Sequence, residues 1–342
     1  MANQRLGKRT LCFSTAPALL AWASVVGKKE GQGPLARWFD VVSQDTKFGQ
    51  ETWEKAESQM QKEALQRALQ KAFLAPQQLH ALCAGDLLNQ CIGSSFAVRG
   101  QGVPFLGLYG ACSTMSESLL VAAMMVDGGY AERAAAMTSS HFASAERQYR
   151  LPLEYGGQRT PTAQWTVTGA GCVLLGQGGG PVHVRTATIG QVIDKGISDA
   201  NNMGSAMAPA AYETIRQHLE DTHRTPEDYD LIVTGDLGAV GSEILRDFFR
   251  RDGVTLGERY HDCGLMIFDR ERQDVHAGGS GCGCCASVLC GPLLARMAAG
   301  ELRRLLVCAT GALLSPVSTQ QGESIPAVCH AVELTTSGQK EE

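Results

Sequence analysis

Basic residues are too few and too scattered in this chain of 342 residues to form a dense stripe. Lysine and arginine number 30 against 35 aspartates and glutamates, which gives a formal net charge of −5. Aromatic residues make up only 6% of the chain, so basic patches interleaved with stacking aromatics are missing as well. Both absences exclude the usual electrostatic footprint of nucleic-acid binding. We predict that the chain binds no nucleic acid.

Long apolar runs are also missing. No run approaches the ~20 residues that a helix needs to cross a bilayer, so any role at a membrane depends on partners. Residues 11–26 follow three basic residues and resemble part of a secretory signal, but Pro17 and the Gly-rich stretch at 27–34 favour a first β-strand instead. The sequence predicts a soluble protein with no transmembrane segment.

The twelve cysteines lack the spacing of a metal site or a disulfide framework. They fall singly in apolar stretches or together in one Gly-rich segment, which contains Cys282, Cys284, Cys285 and Cys290. Structural zinc sites need close pairs and a second, distant pair, and disulfide scaffolds are typical of small secreted domains. We predict reduced thiols, no metal and no cofactor.

What the chain does contain is a repeated phrase, 150 positions apart. A helix, a proline, an apolar strand and Gly-Asp-Leu occur twice, with these pairs in register: Pro76 and Pro226, Leu82 and Ile232, Gly85 and Gly235, Asp86 and Asp236, Leu87 and Leu237. Long-period self-similarity indicates a duplicated architecture. We predict two halves, 1–175 and 176–342, related by a pseudo-twofold axis with a shared central cleft.

Each half alternates strands with helices, which predicts a mostly parallel, helix-covered α/β layer. Apolar periodicity and turn residues predict helices at 51–73, 113–126, 208–219, 241–251 and 282–299. The same signals predict strands at 79–84, 104–109, 134–138, 165–175, 182–193, 231–234, 265–268 and 305–309.

The candidate for chemistry is Cys112, in the phrase GACST at 110–114. A strand, a glycine, this cysteine and then a helix follow one another, which places Cys112 at a helix N-terminus. Free amides and the helix dipole there favour a thiolate and lower a cysteine pKa. The alternative is a small residue that fills a turn. His141 also follows a strand and is either within reach of Cys112 or a structural histidine.

Longer phrases resemble the stage V sporulation protein AD family from about residue 8 to residue 334. They are AGDLLNQ at 84–90, GACST at 110–114, TSSH at 138–141, EYGG at 154–157, MGSAMAPAA at 203–211, TGDL at 234–237, DCGLM at 262–266, GGSGC at 278–282 and ATGALLSP at 309–316.

The resemblance implies a thiolase-like fold, in which two βαβαβαββ halves form five αβαβα layers. It also implies a role in spore formation and germination without catalysis: binding dipicolinic acid (pyridine-2,6-dicarboxylate), alone or with calcium, and supporting its uptake through a membrane channel complex. The implied partners are other stage V sporulation membrane proteins, with the chain held peripherally at the spore inner membrane. Its fold relatives suggest a homodimer.

The catalytic set of the thiolase relatives is incomplete here. Claisen condensation needs a base and enolate donors beside the cysteine, and the relatives supply a second-half histidine. The corresponding phrase in this chain is GGSGC at 278–282, without histidine. We predict no enzyme activity; the alternative is a thiolase-like or ketoacyl-synthase-like acyl transferase that uses Cys112.

A binding hypothesis follows from the duplication. The helices that begin after Cys112 and near Cys282 are expected to point their N-termini at the shared cleft, and each N-terminus is an anion site. The two turns would then hold one carboxylate each, with Ser113, His141 and Ser280 as further donors. A bulky residue at Gly281 should abolish binding without unfolding the protein.

Two more sets of residues are candidates. Asp86 and Asp236 each follow a buried strand, where an aspartate either caps the next turn or faces the cleft and holds calcium. Arg150 and Arg159 lie in a loop, where they meet a carboxylate in bidentate fashion or form a solvated face. Tyr155, between them, would stack on a pyridine ring.

Overall fold

The computed structural model describes residues 4–149 and 159–336. The first half contains β1 (Gln4–Leu6), β2 (Thr10–Cys12), β3 (Ala18–Val26), β4 (Val41–Val42), α1 (Trp53–Ala72), β5 (Ala81–Gly85), α2 (Ile92–Val98), β6 (Phe105–Gly107), α3 (Thr114–Asp127), β7 (Arg133–Ser140), α4 (Phe142–Tyr149), β8 (Trp165–Thr166) and β9 (Gly169–Gly176).

The second half continues with β10 (Val182–Thr188), α5 (Met203–Thr222), β11 (Leu231–Thr234), α6 (Gly238–Arg251), β12 (Tyr260–Asp262), α7 (Cys263–Met266), β13 (Gly279–Ser280), α8 (Cys282–Val288), α9 (Leu294–Ala298), β14 (Arg304–Ala312), α10 (Pro316–Gln320) and β15 (Ala327–Thr336). The boundary predicted after residue 175 falls one residue before the end of β9.

The strand order shows the duplication directly. The hydrogen-bonded order is β12-β11-β14-β15-β10-β3-β9-β7-β5-β6. Read outwards from its middle, each half contributes five strands in the same order, β3-β9-β7-β5-β6 and β10-β15-β14-β11-β12. The halves meet where β3 and β10 pair antiparallel over two residue pairs, Leu19 with Val182 and Ala18 with His183. The duplicated fold class predicted from the sequence is confirmed.

Helices cover both faces of each five-stranded part. Between the two parts lie α3 and α8: α3 packs on β5 and β7 on one side and on β14 and β15 on the other. Outside the first half lies α1, against β3 and β9, and outside the second half lies α5, against β14 and β15. The result is five layers, and the central helices begin at the interface of the halves.

The equivalent helices α1 and α5 form for the same reason. Each has 20 residues, and α1 buries a stripe spaced three and four residues apart, which consists of Ala56, Met60, Ala64, Leu65, Ala68 and Leu69. Such a stripe packs one helix face against a sheet. Both helices end on a residue in the left-handed region, Phe73 at φ 55° and His223 at φ 54°. The 150-residue offset is therefore preserved to the last turn.

Four element predictions are corrected by the structure. The strand predicted at 165–175 is interrupted, because β8 pairs with β13 in a separate two-stranded sheet and β9 begins only at Gly169. The strand predicted at 182–193 ends at Thr188. The strand predicted at 265–268 is wrong, since residues Cys263–Met266 form the short helix α7. The helix predicted at 282–299 is interrupted: a π-helical segment at Leu289–Leu293 separates α8 from α9, and it contains Pro292, which has no amide to donate. Among the described residues, no helix is long and apolar enough to cross a membrane.

Candidate functional site

A cavity lies between the two halves. Its lining residues are mostly apolar or small, and they come from both halves: Leu87, Ala111, Cys112, Ala145, Glu146, Tyr149, Thr166, Ala200, Met203, Ser280, Ala312 and Leu314. This is the shared cleft that the duplication predicted. Two of the predicted site residues, Cys112 and Ser280, line its wall.

Cys112 lies in a tight turn at the base of the cavity. The preceding residue, Ala111, has φ 51°, a left-handed conformation that is strained for a residue with a side chain. Strand β14 passes close behind, and a Cβ on Gly311 would lie 2.1 Å from the carbonyl oxygen of Gly110. The turn is thus fixed by close backbone packing, and the Cys112 side chain is only 7% exposed.

The carboxylate of Asp236, which follows β11 in the second half, acts on the Cys112 thiol through its charge. Thr310 donates its hydroxyl to Oδ1 at 2.8 Å, and Gly281 donates its amide to Oδ2 at 2.8 Å. The Ser280 hydroxyl also donates to Oδ2, at 3.2 Å. Asp236 is therefore a buried acceptor held by three donors.

Burial controls the protonation of both groups. It raises the pKa of Asp236 to about 6, against the hydrogen bonds from Gly281, Thr310 and Ser280, which lower it. Burial also raises the pKa of the Cys112 thiol well above its ordinary value, and the nearby Asp236 carboxylate raises it further. The prediction of a lowered Cys112 pKa is wrong, because desolvation and a negative neighbour outweigh the helix terminus.

The turn before α8 carries three predicted site residues. Ser280 and the amide of Gly281 are hydrogen-bonded to Asp236, so the N-terminus of α8 already holds an internal carboxylate. Cys282 is fully buried, and its thiol donates to the carbonyl oxygen of Ser139 at 2.9 Å. That this terminus receives a ligand carboxylate stays a prediction, and it requires displacement of Asp236.

Gly281 is not a neutral position for a test of binding. It has φ 98°, and a Cβ there would lie 2.6 Å from Oγ and 3.0 Å from Cβ of Ser140. A side chain at this position is therefore both strained and crowded. We correct the expectation of an intact fold: substitution of Gly281 destabilises the start of α8 as well as the cavity wall.

His141 and Ser113 have partners away from the cavity. The Nδ1 atom of His141 accepts the amide of Ala143 at 3.1 Å, so Nε2 carries the proton and donates to the Thr46 carbonyl at 2.8 Å. Burial lowers the His141 pKa. Ser113 is buried and donates to the Gly110 carbonyl at 2.7 Å. The geometry of both residues is that of structural groups.

Asp86, the counterpart of Asp236 in the first half, is a cap. It is fully buried and accepts the amides of Leu88 and Ser94 at 2.9 and 2.7 Å and the Ser94 hydroxyl at 2.6 Å. Burial raises its pKa. Among the described residues, no group of three or more histidine, cysteine or acidic side chains is arranged to hold a metal ion.

Of the three candidate residues in the loop, Arg159 lies within the described residues. Arg150 and Tyr155 lie outside the described residues. Arg159 pairs with Glu146, with 3.0 Å between Nη2 and Oε1, and its guanidinium lies over the rings of Trp165 and Phe142. Since Glu146 lines the cavity, Arg159 contacts a residue of the cavity wall.

Sequence reasoning did not single out several residues that shape the site. Gln164 donates to the carbonyl oxygens of both Asp236 and Gly279 at 2.7 Å and so ties the two turns together. Thr310 fixes Asp236, and Tyr149 closes one wall with its hydroxyl on the Leu87 carbonyl. Thr310 stands in the phrase ATGALLSP, which was the one available signal; Gln164 and Tyr149 carried none.

The fold defined by these two halves is that of the thiolases and ketoacyl synthases. A thiolase from Ascaris suum (Acat5), solved with coenzyme A, superposes with a TM-score of 0.60 at 10% identity, over 96% of this chain and all of that one. The 3-oxoacyl-[acyl-carrier-protein] synthase III of Aquifex aeolicus VF5 gives a TM-score of 0.56 at 14% identity, over 93% of this chain and 99% of that one. At such identities the likeness establishes the fold alone.

The sequence comparisons identify one particular family with this fold. The family model for stage V sporulation protein AD (SpoVAD) matches residues 7–335. The stage V sporulation protein AD of Bacillus subtilis (strain 168) is 47% identical over 332 residues, which cover 97% of this chain and 98% of the relative. The chain belongs to the stage V sporulation protein AD family, as its motifs predicted.

Proposed function

We propose that this sporulation protein binds pyridine-2,6-dicarboxylate in the cavity between its halves and supports the uptake of that ligand into the developing spore with other stage V sporulation membrane proteins. The observation that carries the proposal is that Cys112 is buried and lies within the field of the Asp236 carboxylate. Burial and this negative charge keep the thiol protonated where an enzyme of this fold needs a nucleophile, so we infer that the cavity serves for binding rather than for acyl transfer.

Electrostatics argue against the acyl-transferase alternative. Attack on a thioester requires a thiolate, and condensation then requires stabilisation of a developing enolate. Asp236 places negative charge at the same point and opposes both. His141, the histidine considered for a position within reach of Cys112, has both ring nitrogens engaged elsewhere.

The lining suits a small ligand with an apolar body and polar ends. Leu87, Met203 and Leu314 offer apolar surface to a ring, while Ser280 and Thr166 place hydroxyl groups on the wall. Cavities of this kind bind through a largely apolar lining with a few convergent polar groups. Because Asp236 and Glu146 are acidic, calcium that accompanies the dicarboxylate would reduce repulsion between ligand and wall.

Calorimetric titration tests this function. Purified protein is titrated with pyridine-2,6-dicarboxylate, with and without calcium, and with the 3,5-isomer as a control of equal charge and different geometry. Saturable binding of the 2,6-isomer alone supports the proposal. In parallel, a mass spectrum is taken after incubation with acetyl-coenzyme A; a mass gain on Cys112 without dicarboxylate binding would establish the enzyme instead.

We also propose that the chain forms a homodimer through strand β6. This strand ends the sheet, and Leu106 on it and Ile92, Phe96 and Tyr109 beside it are large exposed apolar residues. Residues 87–116 contain no acid and one base, Arg99, so two copies can approach without like-charge repulsion. An open, uncharged edge strand is a template for pairing, and a twofold axis lets it pair with its own copy.

The oligomeric state is measured by light scattering coupled to size-exclusion chromatography. We expect twice the chain mass for the wild type and one chain mass for Leu106→Lys. Tyr130→Lys, which changes another exposed residue away from the edge strand, serves as the matched control and should remain dimeric. A monomeric wild type would exclude this proposal.

A further inference from the structure

Glu146 is the acidic residue among the described residues that line the cavity, and the guanidinium of Arg159 contacts it. Among the described residues that line the cavity, none is lysine or arginine. Arg159 reaches the wall through Glu146, whose carboxylate it contacts at 3.0 Å. Both side chains are largely buried, with 15% and 10% of their surface exposed. An ion pair this sheltered is little screened by solvent.

An aromatic stack fixes the position of Arg159. The rings of Phe142 and Trp165 lie 3.9 Å apart at 7°. The guanidinium lies 4.5 Å from the centre of the Trp165 ring and 5.1 Å from that of Phe142. Its Nη1 atom donates to the Gln164 carbonyl at 2.9 Å. These distances place the guanidinium beside the two stacked rings, and the rings and the Gln164 carbonyl together fix its position toward Glu146.

The stack is continuous with the cavity wall. Trp165 and Thr166 form β8, which pairs in parallel with Gly279 and Ser280 of β13. Thr166 and Ser280 both line the cavity. Arg159 therefore packs against Trp165 of the small two-stranded sheet in which Thr166 of β8 and Ser280 of β13 carry the two wall hydroxyls.

We infer that Arg159 is the anion-recognition residue of this cavity and that Glu146 occupies its guanidinium until a ligand carboxylate takes that place. The inference rests on the proposed dicarboxylate binding and adds a residue and an order of events to it. The ligand carboxylate keeps the Arg159 guanidinium paired, and the displaced Glu146 carboxylate has to turn into the open part of the cavity, because a buried charge without a partner is costly. The geometry of the fork selects carboxylate over other small polar groups.

If a ligand carboxylate replaces Glu146 on Arg159, substitutions of these two residues should have opposite effects on ligand affinity. In Glu146→Gln the competing charge is gone while the shape is kept, so the dicarboxylate should bind about tenfold more tightly. In Arg159→Gln the cation is gone, and binding should weaken by at least about tenfold, the usual scale for a charged hydrogen bond. Arg159→Lys keeps the charge without the bidentate fork and should fall between Arg159→Gln and the wild type.

The experiment is calorimetric titration of the full chain and each variant with pyridine-2,6-dicarboxylate. Arg216→Gln removes a surface arginine that pairs with Glu213, away from the cavity, and is the matched control. Urea unfolding of every variant establishes that it is folded; if Arg159→Gln is not, Arg159→Lys and Glu146→Gln still give opposite signs.

Each outcome of the titrations supports or overturns the inference about Arg159. Tighter binding by Glu146→Gln together with weaker binding by the Arg159 variants supports the inference. Wild-type binding that neither substitution changes overturns the inference and leaves the proposed function standing. A silent wild type with binding by Glu146→Gln supports the exchange and shows that the wild-type pair is closed to this ligand. No binding by any variant overturns both.

Discussion

At the scale of single residues, Asp86 and Asp236 show how equivalent positions diverge. They align in the sequence, and each follows a buried strand. Asp86 meets donors within eight residues of itself, Leu88 and Ser94, and becomes a local cap. Asp236 meets Gly281 and Thr310, both more than 40 residues away. The local sequence is consistent with either role, a helix or turn cap or a residue at the cleft, for both aspartates. Only the tertiary packing determines which role each one has.

The role of Asp236 is tested by its neutral isostere. In Asp236→Asn the loss of negative charge lowers the pKa of Cys112, and each pKa unit raises the thiolate fraction about tenfold. We expect alkylation of Cys112 by iodoacetamide at pH 8 to be about tenfold faster than in the wild type, measured by mass spectrometry of its peptide. Asp86→Asn, which changes a buried acid with a similar set of donors, should leave the rate unchanged. Equal alkylation rates in all three proteins would show that the charge of Asp236 does not control the Cys112 thiol.

At the scale of elements, periodic and capped helices and most short apolar strands were predictable, such as 231–234, which is observed as Leu231–Thr234. Helix 51–73 is observed as Trp53–Ala72, because a clear stripe and a following proline mark it. Residues 265–268 were assigned to the wrong type, since a four-residue apolar run fits a strand or a helix equally well. Helix α4 (Phe142–Tyr149), which supplies three of the cavity residues, had no signal in its polar sequence.

The turn that starts α8 should be sensitive to any side chain. Gly281→Ala places a methyl group in a left-handed backbone and 2.6 Å from Ser140 Oγ. We expect a loss of about 2–3 kcal/mol in the free energy of unfolding, measured with urea. Gly300→Ala has a left-handed backbone too, at φ 77°, but nothing within 4 Å of the new Cβ. It should lose only about 1 kcal/mol, so equal losses would show that crowding at Ser140 is unimportant.

The C-terminal ends of α1 and α5 could be stabilised by substitution, because each ends on a non-glycine residue in the left-handed conformation. Phe73 is left-handed and 95% exposed, so its ring contributes almost no packing. Phe73→Gly should raise the free energy of unfolding by about 0.5–1 kcal/mol, because glycine takes this helix-ending conformation without strain. His223→Gly makes the equivalent change in the second half and should act in the same direction. A lower urea midpoint for Phe73→Gly would refute this account of the helix end.

At the scale of the whole molecule, burial of acids sets the response to pH. Burial raises the pKa of Glu57 to about 8, of Glu30 to about 7 and of Asp262 to about 7. These acids bind protons more tightly in the folded state than in the unfolded chain. Their contribution to stability is complete below the ordinary acid pKa, near 4, and is lost as pH rises through 7 and 8.

We therefore expect the urea midpoint of the wild type to fall steadily between pH 5 and pH 8.5. Glu57→Gln keeps the hydroxyl partners Ser139 and Ser144 and removes the titration. Its midpoint should change less over the same pH range than that of the wild type. Glu63→Gln, a change to a helix acid with a more exposed side chain, is the control and should keep the wild-type slope. Identical slopes for all three proteins would place the pH response elsewhere.

The position of β15 also bears on how the chain folds during synthesis. This last described strand lies between β14 and β10, in the interior of its sheet. The first half has all five of its strands once β9 has left the ribosome. The second half has a gap between β14 and β10 until β15 arrives, and non-local pairing of this kind is slow and exposes strand edges. Ribosome-bound intermediates should thus carry a finished first half and an open second one, which makes the closing strand the step at which a chaperone would matter most.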